Sequence, residues 1–245
     1  MKINLKTFLG KIKTICLRKL LPGWRKSDGG KHETAFWRRW VYEKNTNPDS
    51  DYLFRKDPGR PLQIELTSLL PPGNKSPKIL DVGCGPLSQV GIRFVGGAVK
   101  LYGADPLADE YTNILRDNKM QPNTTLIKCS GEELSACFGE NNFDVVCAFN
   151  SLDHTISPIV VFREMVKVCK VGGYLYLLHS ENEGLEERYS GMHQWNFQMV
   201  KNRLLVNDGR KSSELLQGSK LIKVHKTSRF KAQKKIFLEW VFQKL

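Results

Sequence analysis

Ile79-Leu80-Asp81-Val82-Gly83-Cys84-Gly85-Pro86 is the stretch that decides the fold. Its apolar lead-in has the composition of a strand buried in a parallel sheet. The glycines after Asp81 let the backbone turn and lie close to a ligand, with no Cβ in the way. Leu87 to Val95 is expected to open a helix whose N-terminal amides face that ligand. The unit reads as the first strand–turn–helix of a nucleotide-type site at the carboxyl end of a parallel sheet. A plainer role for Asp81 is to cap the following helix.

Three further segments follow in order. Leu101-Tyr102-Gly103-Ala104-Asp105 is a short strand ending in a carboxylate 24 residues beyond Asp81. An acid at the end of the second strand of a doubly wound fold accepts hydrogen bonds from ribose hydroxyls. Asp105-Pro106 also reads as a simple turn start. Thr125-Leu126-Ile127-Lys128-Cys129-Ser130-Gly131-Glu132-Glu133-Leu134 reads as a third strand with a small polar turn. Ser130 with Glu132 can equally be an ordinary helix cap. Phe143 to Asn150 is a fourth strand ending in Asn150, and Tyr174 to Leu178 is a fifth.

ILDVGCG at 79–85, GAD at 103–105, SGEEL at 130–134, FDVVCAFNSLDH at 143–154 and KVGGYLYLL at 170–178 resemble the class I S-adenosylmethionine-dependent methyltransferases. The closest likeness is to their small type 11 group, and it covers residues 75 to 180 well. The resemblance implies an α/β fold: a Rossmann-like doubly wound sheet, mostly parallel, with an antiparallel C-terminal strand. It implies S-adenosyl-L-methionine as cofactor and methyl transfer as the reaction. Carried across, it puts Gly83, Cys84 and Gly85 along the methionine and ribose, with Asp81 nearby. Asp105, with Pro106 beside it, takes the ribose hydroxyls. Ser130, Gly131 and Glu132 flank the adenine, and Asn150 offers its backbone to the methionine end. Two positions depart from the pattern: Leu87 stands where a third glycine is common, and Ser130 where an acid is frequent.

The chain has 245 residues, 40% hydrophobic and 26% charged, which suits one soluble domain with a modest appendage. No apolar run approaches the roughly 20 residues that span a bilayer, and a secretory signal is not expected. Cys16, Cys84, Cys129, Cys137, Cys147 and Cys169 contain no C-x-x-C pair. They are expected mostly as free thiols packed like small apolar groups, in a reduced cytoplasm. Neither cysteine nor histidine spacing matches a zinc site, so no metal ligands are expected.

The net charge of +13 sits at the ends. Residues 1–26 hold eight Lys or Arg and no acid, and residues 220–245 hold eight with only Glu239. The near-neutral body argues against a broad nucleic-acid groove, though the ends could meet phosphate. Residues 3–21 carry apolar side chains at helical spacing with lysines between them. This cationic amphipathic helix either lies on an anionic membrane surface, peripheral to the inner face, or docks on protein. The expected organisation is a basic arm over 1–35 and a catalytic domain over 36–245.

Within that domain, an aromatic, basic helix is expected to begin at Phe36-Trp37-Arg38-Arg39-Trp40, and a second helix is expected over Pro61 to Leu70. The chain ahead of the first strand covers the cofactor in related folds, so Arg38 or Arg55 is a candidate for the methionine carboxylate. A lid and substrate insert is expected over about 180–210, with a hairpin made by Trp195 to Val200 and Leu204 to Val206. The tail reads as a closing antiparallel hairpin, with Ile236, Leu238, Trp240 and Phe242 alternating along one arm.

Methyl transfer to a hydroxyl needs alignment and a base. Histidine suits that duty near neutral pH. His154, His179 and His193 are the candidates in that order, with Asp153 as orienting group or base. Tyr189 and Trp195, beside His193, could stack on a sugar or planar acceptor, or simply pack within the lid. Asp153, Glu181 and Glu183 supply oxygens of the kind Mg²⁺ prefers, without a diagnostic spacing. The leading expectation is O-methylation of a small molecule or glycan hydroxyl, with cell-surface polysaccharide as the specific case. The alternatives are an RNA methyltransferase using the basic ends and a non-catalytic, cofactor-binding partner protein.

Overall fold

The computed structural model describes residues 24–122, 124–216, 220–232 and 234–245, and the side chains from residue 29 onward. The expected amphipathic helix over 3–21 lies outside the described residues. A long helix, Trp24–Thr46, comes first. It begins well before Phe36 and runs without a break through residue 35. A short helix, Ser50–Lys56, follows, capped by the Asp49 side chain on the Tyr52 amide.

The described residues form twelve strands, seven of them in the main sheet. In chain order the strands are β1 (Lys78–Val82), β2 (Arg93–Phe94), β3 (Gly97–Ala98), β4 (Lys100–Asp105), β5 (Thr125–Lys128), β6 (Phe143–Phe149), β7 (Cys169–Ser180), β8 (Asn196–Val200), β9 (Arg203–Asn207), β10 (Ser212–Glu214), β11 (Ile222–Ala232) and β12 (Lys235–Lys244). The main sheet runs β11-β12-β7-β6-β1-β4-β5. β1 pairs in parallel with both β4 and β6, and β12 closes antiparallel on β7. This is the doubly wound arrangement expected from the sequence. The order reverses beside β1, which opens the crevice for a ligand at the carboxyl ends of β1 and β6.

Alternation along the strands builds the two faces. Leu80, Val82, Val146 and Ala148 join one core with Val161, Phe162 and Met165 of the helix Pro158–Val168. Ile79, Val145 and Cys147 point into the other core, with Leu62, Leu66, Leu69 and Val90. A third cluster of Val41, Tyr52, Leu87, Tyr111 and Ile114 fastens the first helix to the helix Ala108–Asp117.

Two helical expectations fail together, for one reason. Leu87 to Val95 contains no helix, and Pro61 to Leu70 contains only the single turn Ile64–Thr67. The two stretches satisfy one another instead. The Ile92 and Arg93 amides donate to the Arg60 carbonyl, and the Leu62 amide donates to the Arg93 carbonyl. Side chains complete the set: Arg55 Nη1 donates to the Leu87 carbonyl, Gln63 Nε2 to Gln89, and the buried Arg60 Nε to Val90. Backbone groups supplied from outside in this way have no need of a helical ladder.

The lid expected over 180–210 holds the β8–β9 hairpin, extended by β10 into a three-stranded sheet. The tail forms the β11–β12 hairpin. Cys84, Cys147 and Cys169 are buried free thiols. Cys129 and Cys137 correct the expectation of free thiols: the turn between them brings their Cα atoms to 6.4 Å, and they form a disulfide. Among the described residues no helix is long and apolar enough to cross a membrane.

Gly91 is the tightest point of the extended segment, since a Cβ there would lie 1.8 Å from the Pro61 carbonyl oxygen. Gly91→Ala is expected to lower stability by about 1–3 kcal/mol or more, as overpacking does. Chemical denaturation measures this, and an unchanged midpoint would contradict the packing described.

Candidate functional site

The bend after β1 is held from two sides. Gly83 and Gly85 both adopt positive φ, at 72° and 63°. A Cβ on Gly83 would fall 2.4 Å from Ser151 Cβ, so the loops after β1 and β6 touch only because residue 83 has no side chain. Ser151 Oγ donates to the Val82 carbonyl, 2.6 Å away. On the other side the Gly85 amide donates to Asp105 Oδ2 at 3.2 Å, and the Leu107 amide donates to Oδ1 at 2.9 Å. Each Asp105 oxygen keeps a lone pair for a ligand hydroxyl. Cys84 faces inward against Gly103, and burial pushes its thiol well up.

Burial also dominates the two acids. It raises Asp105 to about 7, against backbone hydrogen bonds from Leu107 and Gly85 that pull the other way. It raises Asp81 to about 6, where Ser88 Oγ donates to Oδ2 at 2.6 Å. Asp81 therefore ties down the extended segment and caps no helix.

The N-terminal helix lies over this bend. Trp37 packs on Gly85, with its Cζ2 at 3.0 Å from where a Cβ would stand. Trp37 Nε1 donates to Glu33 Oε1 at 2.8 Å. Glu33 Oε2 is 3.8 Å from His154 Nδ1, and its charge also reaches Asp105. A cleft of about 540 Å³ opens between this helix and the β4 loop, lined by Gly30, Lys31, Thr34, Arg38, Leu107 and Glu110. That is within the roughly 300–1,000 Å³ of small-molecule sites. Glu110, on its wall, keeps a buried Oε2 without a hydrogen-bond partner among the described residues.

The candidate catalytic residues meet at the turn after β6. Asp153 is completely buried and His154 partly so. His193 comes over from the lid, with Nδ1 at 2.7 Å from Asp153 Oδ2 and 3.0 Å from His154 Nε2. Burial favours neutral Asp153, but His154 and the His193 hydrogen bond outweigh it and hold the carboxyl below its usual range. Burial pulls His193 down, and Asp153, together with the charges of Glu183 and Glu187, more than reverses that. His179 is different: it stacks on Phe197 at 4.3 Å, and burial drives it down to about 4. It sits in the core as a neutral ring.

The remaining candidates divide. Asn150 takes a left-handed turn, its Oδ1 accepting from the Ser180 amide. Ser130 caps the turn at 131–133 and bonds Glu132, whose Oε1 accepts from the Ile156 and Ser157 amides. Gly131 packs against Val161. Tyr189 accepts from Asn196 within the insert, and Trp195 donates to the Thr155 carbonyl on the turn after β6, so both aromatics are engaged in packing. Arg38 is exposed near Asp117, while Arg55 is turned toward the Leu87 carbonyl and Asp51. Glu181 pairs with Arg229 and Glu183 with Lys235. Glu33 and Ser88 were missed in the sequence; a lone Glu in a long helix and a Ser in a loop carry no signal of what they touch.

Residues 80–177 match the protein family described as a methyltransferase domain, the segment whose motifs resemble class I methyltransferases. An uncharacterized methyltransferase of Schizosaccharomyces pombe is 32% identical over 108 residues, which cover 41% of this chain and 39% of that protein. The chain thus spans about two fifths of that relative. Among solved structures, a SAM-dependent methyltransferase from Methanosarcina mazei is 15% identical, with 75% of this chain and 98% of that chain covered and a TM-score of 0.48. A Burkholderia thailandensis 1,6-didemethyltoxoflavin-N1-methyltransferase, bound to 1,6-didemethyltoxoflavin and S-adenosylhomocysteine, is also 15% identical. There 87% of this chain and 89% of that chain are covered, with a TM-score of 0.46.

The raised pKa of Asp105 has a signed consequence. In the native protein without ligand the carboxyl keeps its proton up to about 7, whereas the unfolded chain releases it near 3.8. Stability is therefore lost as pH rises between those values. Asp105→Asn is expected to raise the melting temperature of the ligand-free protein at pH 8, with a smaller gain at pH 5. Thermal unfolding at both values checks this, and equal effects would remove the buried charge as the cause.

Proposed function

We propose, from the match of residues 80–177 to the family described as a methyltransferase domain, that this chain transfers the methyl group of S-adenosylmethionine to a hydroxyl of a small molecule or glycan. The observation that carries the reading is the Asp153–His193–His154 cluster, set next to the glycine bend at the carboxyl end of β6. When bound, the cofactor supplies an electrophilic methyl group on a sulfonium. The residues of this chain bind, align and take a proton.

Asp105 accepts the ribose hydroxyls on the lone pairs that Gly85 and Leu107 leave free. The unpartnered Glu110 oxygen suits a donor group of the nucleoside in the cleft beside Leu107. Gly83, Cys84 and Gly85 bring the backbone along the methionine part, and Asn150 closes its far end. The N-terminal helix shields the bend from water through Trp37. In this reading it belongs with the catalytic domain, whose lid is the insert around 180–210.

His193 and His154, oriented by Asp153, receive the acceptor proton as the oxygen–carbon bond forms and the carbon–sulfur bond breaks. The electron pair of that bond stays on sulfur. An RNA acceptor finds less support. Lys226, Arg229 and Lys235 of the basic tail are engaged by Glu239, Glu181 and Glu183. Cell-surface glycan is the narrower choice within the hydroxyl class, and the inward packing of Tyr189 and Trp195 gives it no stacking platform.

Calorimetry with S-adenosylmethionine should show binding that Asp105→Ala weakens about tenfold to a hundredfold, as loss of charged hydrogen bonds does. Labelled cofactor incubated with fractionated cell extract should place label in small metabolites or glycan. Label confined to RNA or protein would redirect the acceptor, and no cofactor binding would end the reading.

A further inference from the structure

We propose that Asp153 Oδ2, His154 Nε2 and His193 Nδ1 form a binding site for one divalent transition-metal ion of the Zn²⁺ class. The three atoms converge on one point, separated by 2.7, 3.0 and 3.5 Å. Ligands about 2.0 Å from a tetrahedral ion stand about 3.3 Å apart, so this triangle has the dimensions of one face of such a site.

Proton counting points the same way. A carboxylate oxygen only accepts, and each imidazole nitrogen either donates or accepts. His193 Nδ1 faces both Asp153 Oδ2 and His154 Nε2. A single proton on Nδ1 makes a full bond to Asp153 Oδ2 and leaves the His154 Nε2 lone pair without a full partner in the cluster. A cation uses all three lone pairs at once.

The surroundings complete a metal site. His154 turns Nε2 to the cluster and Nδ1 toward Glu33 Oε2, 3.8 Å away, and Glu33 is itself held by Trp37. A carboxylate behind a ligating imidazole is the usual outer partner that sets ring orientation. Asp153 is 0% exposed, and its second oxygen, Oδ1, is buried with no hydrogen-bond partner among the described residues. The ligands are held in place on both sides. The Gln194 amide donates to the Asp153 carbonyl at 2.9 Å, and Trp195 Nε1 donates to the Thr155 carbonyl, which stitches the lid to the turn. Two imidazoles with one carboxylate suit Zn²⁺ and its neighbours, whereas Ca²⁺ and Mg²⁺ prefer oxygen.

The consequence for reaction rests on the proposed methyl transfer, although the binding does not. Three protein ligands leave a fourth position open for the acceptor oxygen. The ion then lowers the hydroxyl pKa, the proton leaves to water, and the imidazoles are relieved of the base's duty.

The full chain, stripped with chelator and dialysed, is titrated with Zn²⁺ by calorimetry and with Co²⁺ by visible absorption. One equivalent should bind, raise the melting temperature and give a ligand-field spectrum. Asp153→Asn and His193→Gln, each checked for folding by circular dichroism, should weaken Zn²⁺ at least about tenfold, the lower bound seen even for outer-sphere losses. Glu181→Gln should leave it unchanged. Asp105→Ala should keep the metal while losing cofactor affinity, which separates failure of this site from failure of the methyltransferase reading. No stoichiometric uptake by folded wild type, or uptake that neither ligand variant alters, overturns the proposal.

Discussion

The buried carboxylate of Asp105 joins the two halves of the candidate nucleoside site. It accepts from the Gly85 amide at the end of β1 and from the Leu107 amide at the end of β4. A charged group in this position costs desolvation, and burial raises its pKa to about 7. The position is tolerable because two backbone donors are aimed at it, and a ligand diol would add two more. The open cleft next to Leu107 and the helix packed over Gly85 both border this bond.

The segment after the bend shows how tertiary contacts override local preference. Leu87 to Val95 has the position of a helix in doubly wound folds. Here its carbonyls are taken by Arg55, Arg60 and Gln63, and its amides by Gln63, Ser88 and Arg60. With those groups satisfied by Ser88 within the segment and by residues outside it, no gain remains for closing a helical ladder. The N-terminal helix replaces the missing cover, with Trp37 standing over Gly85.

The Asp153–His154–His193 cluster is assembled from two elements. Asp153 and His154 lie on the turn after β6, and His193 arrives from the lid. Asn196 donates to Tyr189 within the insert, while Trp195 Nε1 reaches out to the Thr155 carbonyl on the turn after β6. His193 crosses to the same turn, and its contact with Asp153 brings the insert to the cluster.

The amino-acid order determined the main-sheet strands and the glycine bend, though not the short β2, β3 and β10, because long buried strands and positive-φ turns are written in local composition. ILDVGCG and the acid at 105 were legible for that reason, and so was the closing β11–β12 hairpin. The disulfide between Cys129 and Cys137, the service of Glu33 and the absence of the helix after residue 86 were not legible. Nor was the meeting of His154 with His193, 39 positions apart. Each of these is a contact between segments whose approach is set by the packed sheet. One-dimensional spacing does not encode which distant side chain arrives to fill a given lone pair.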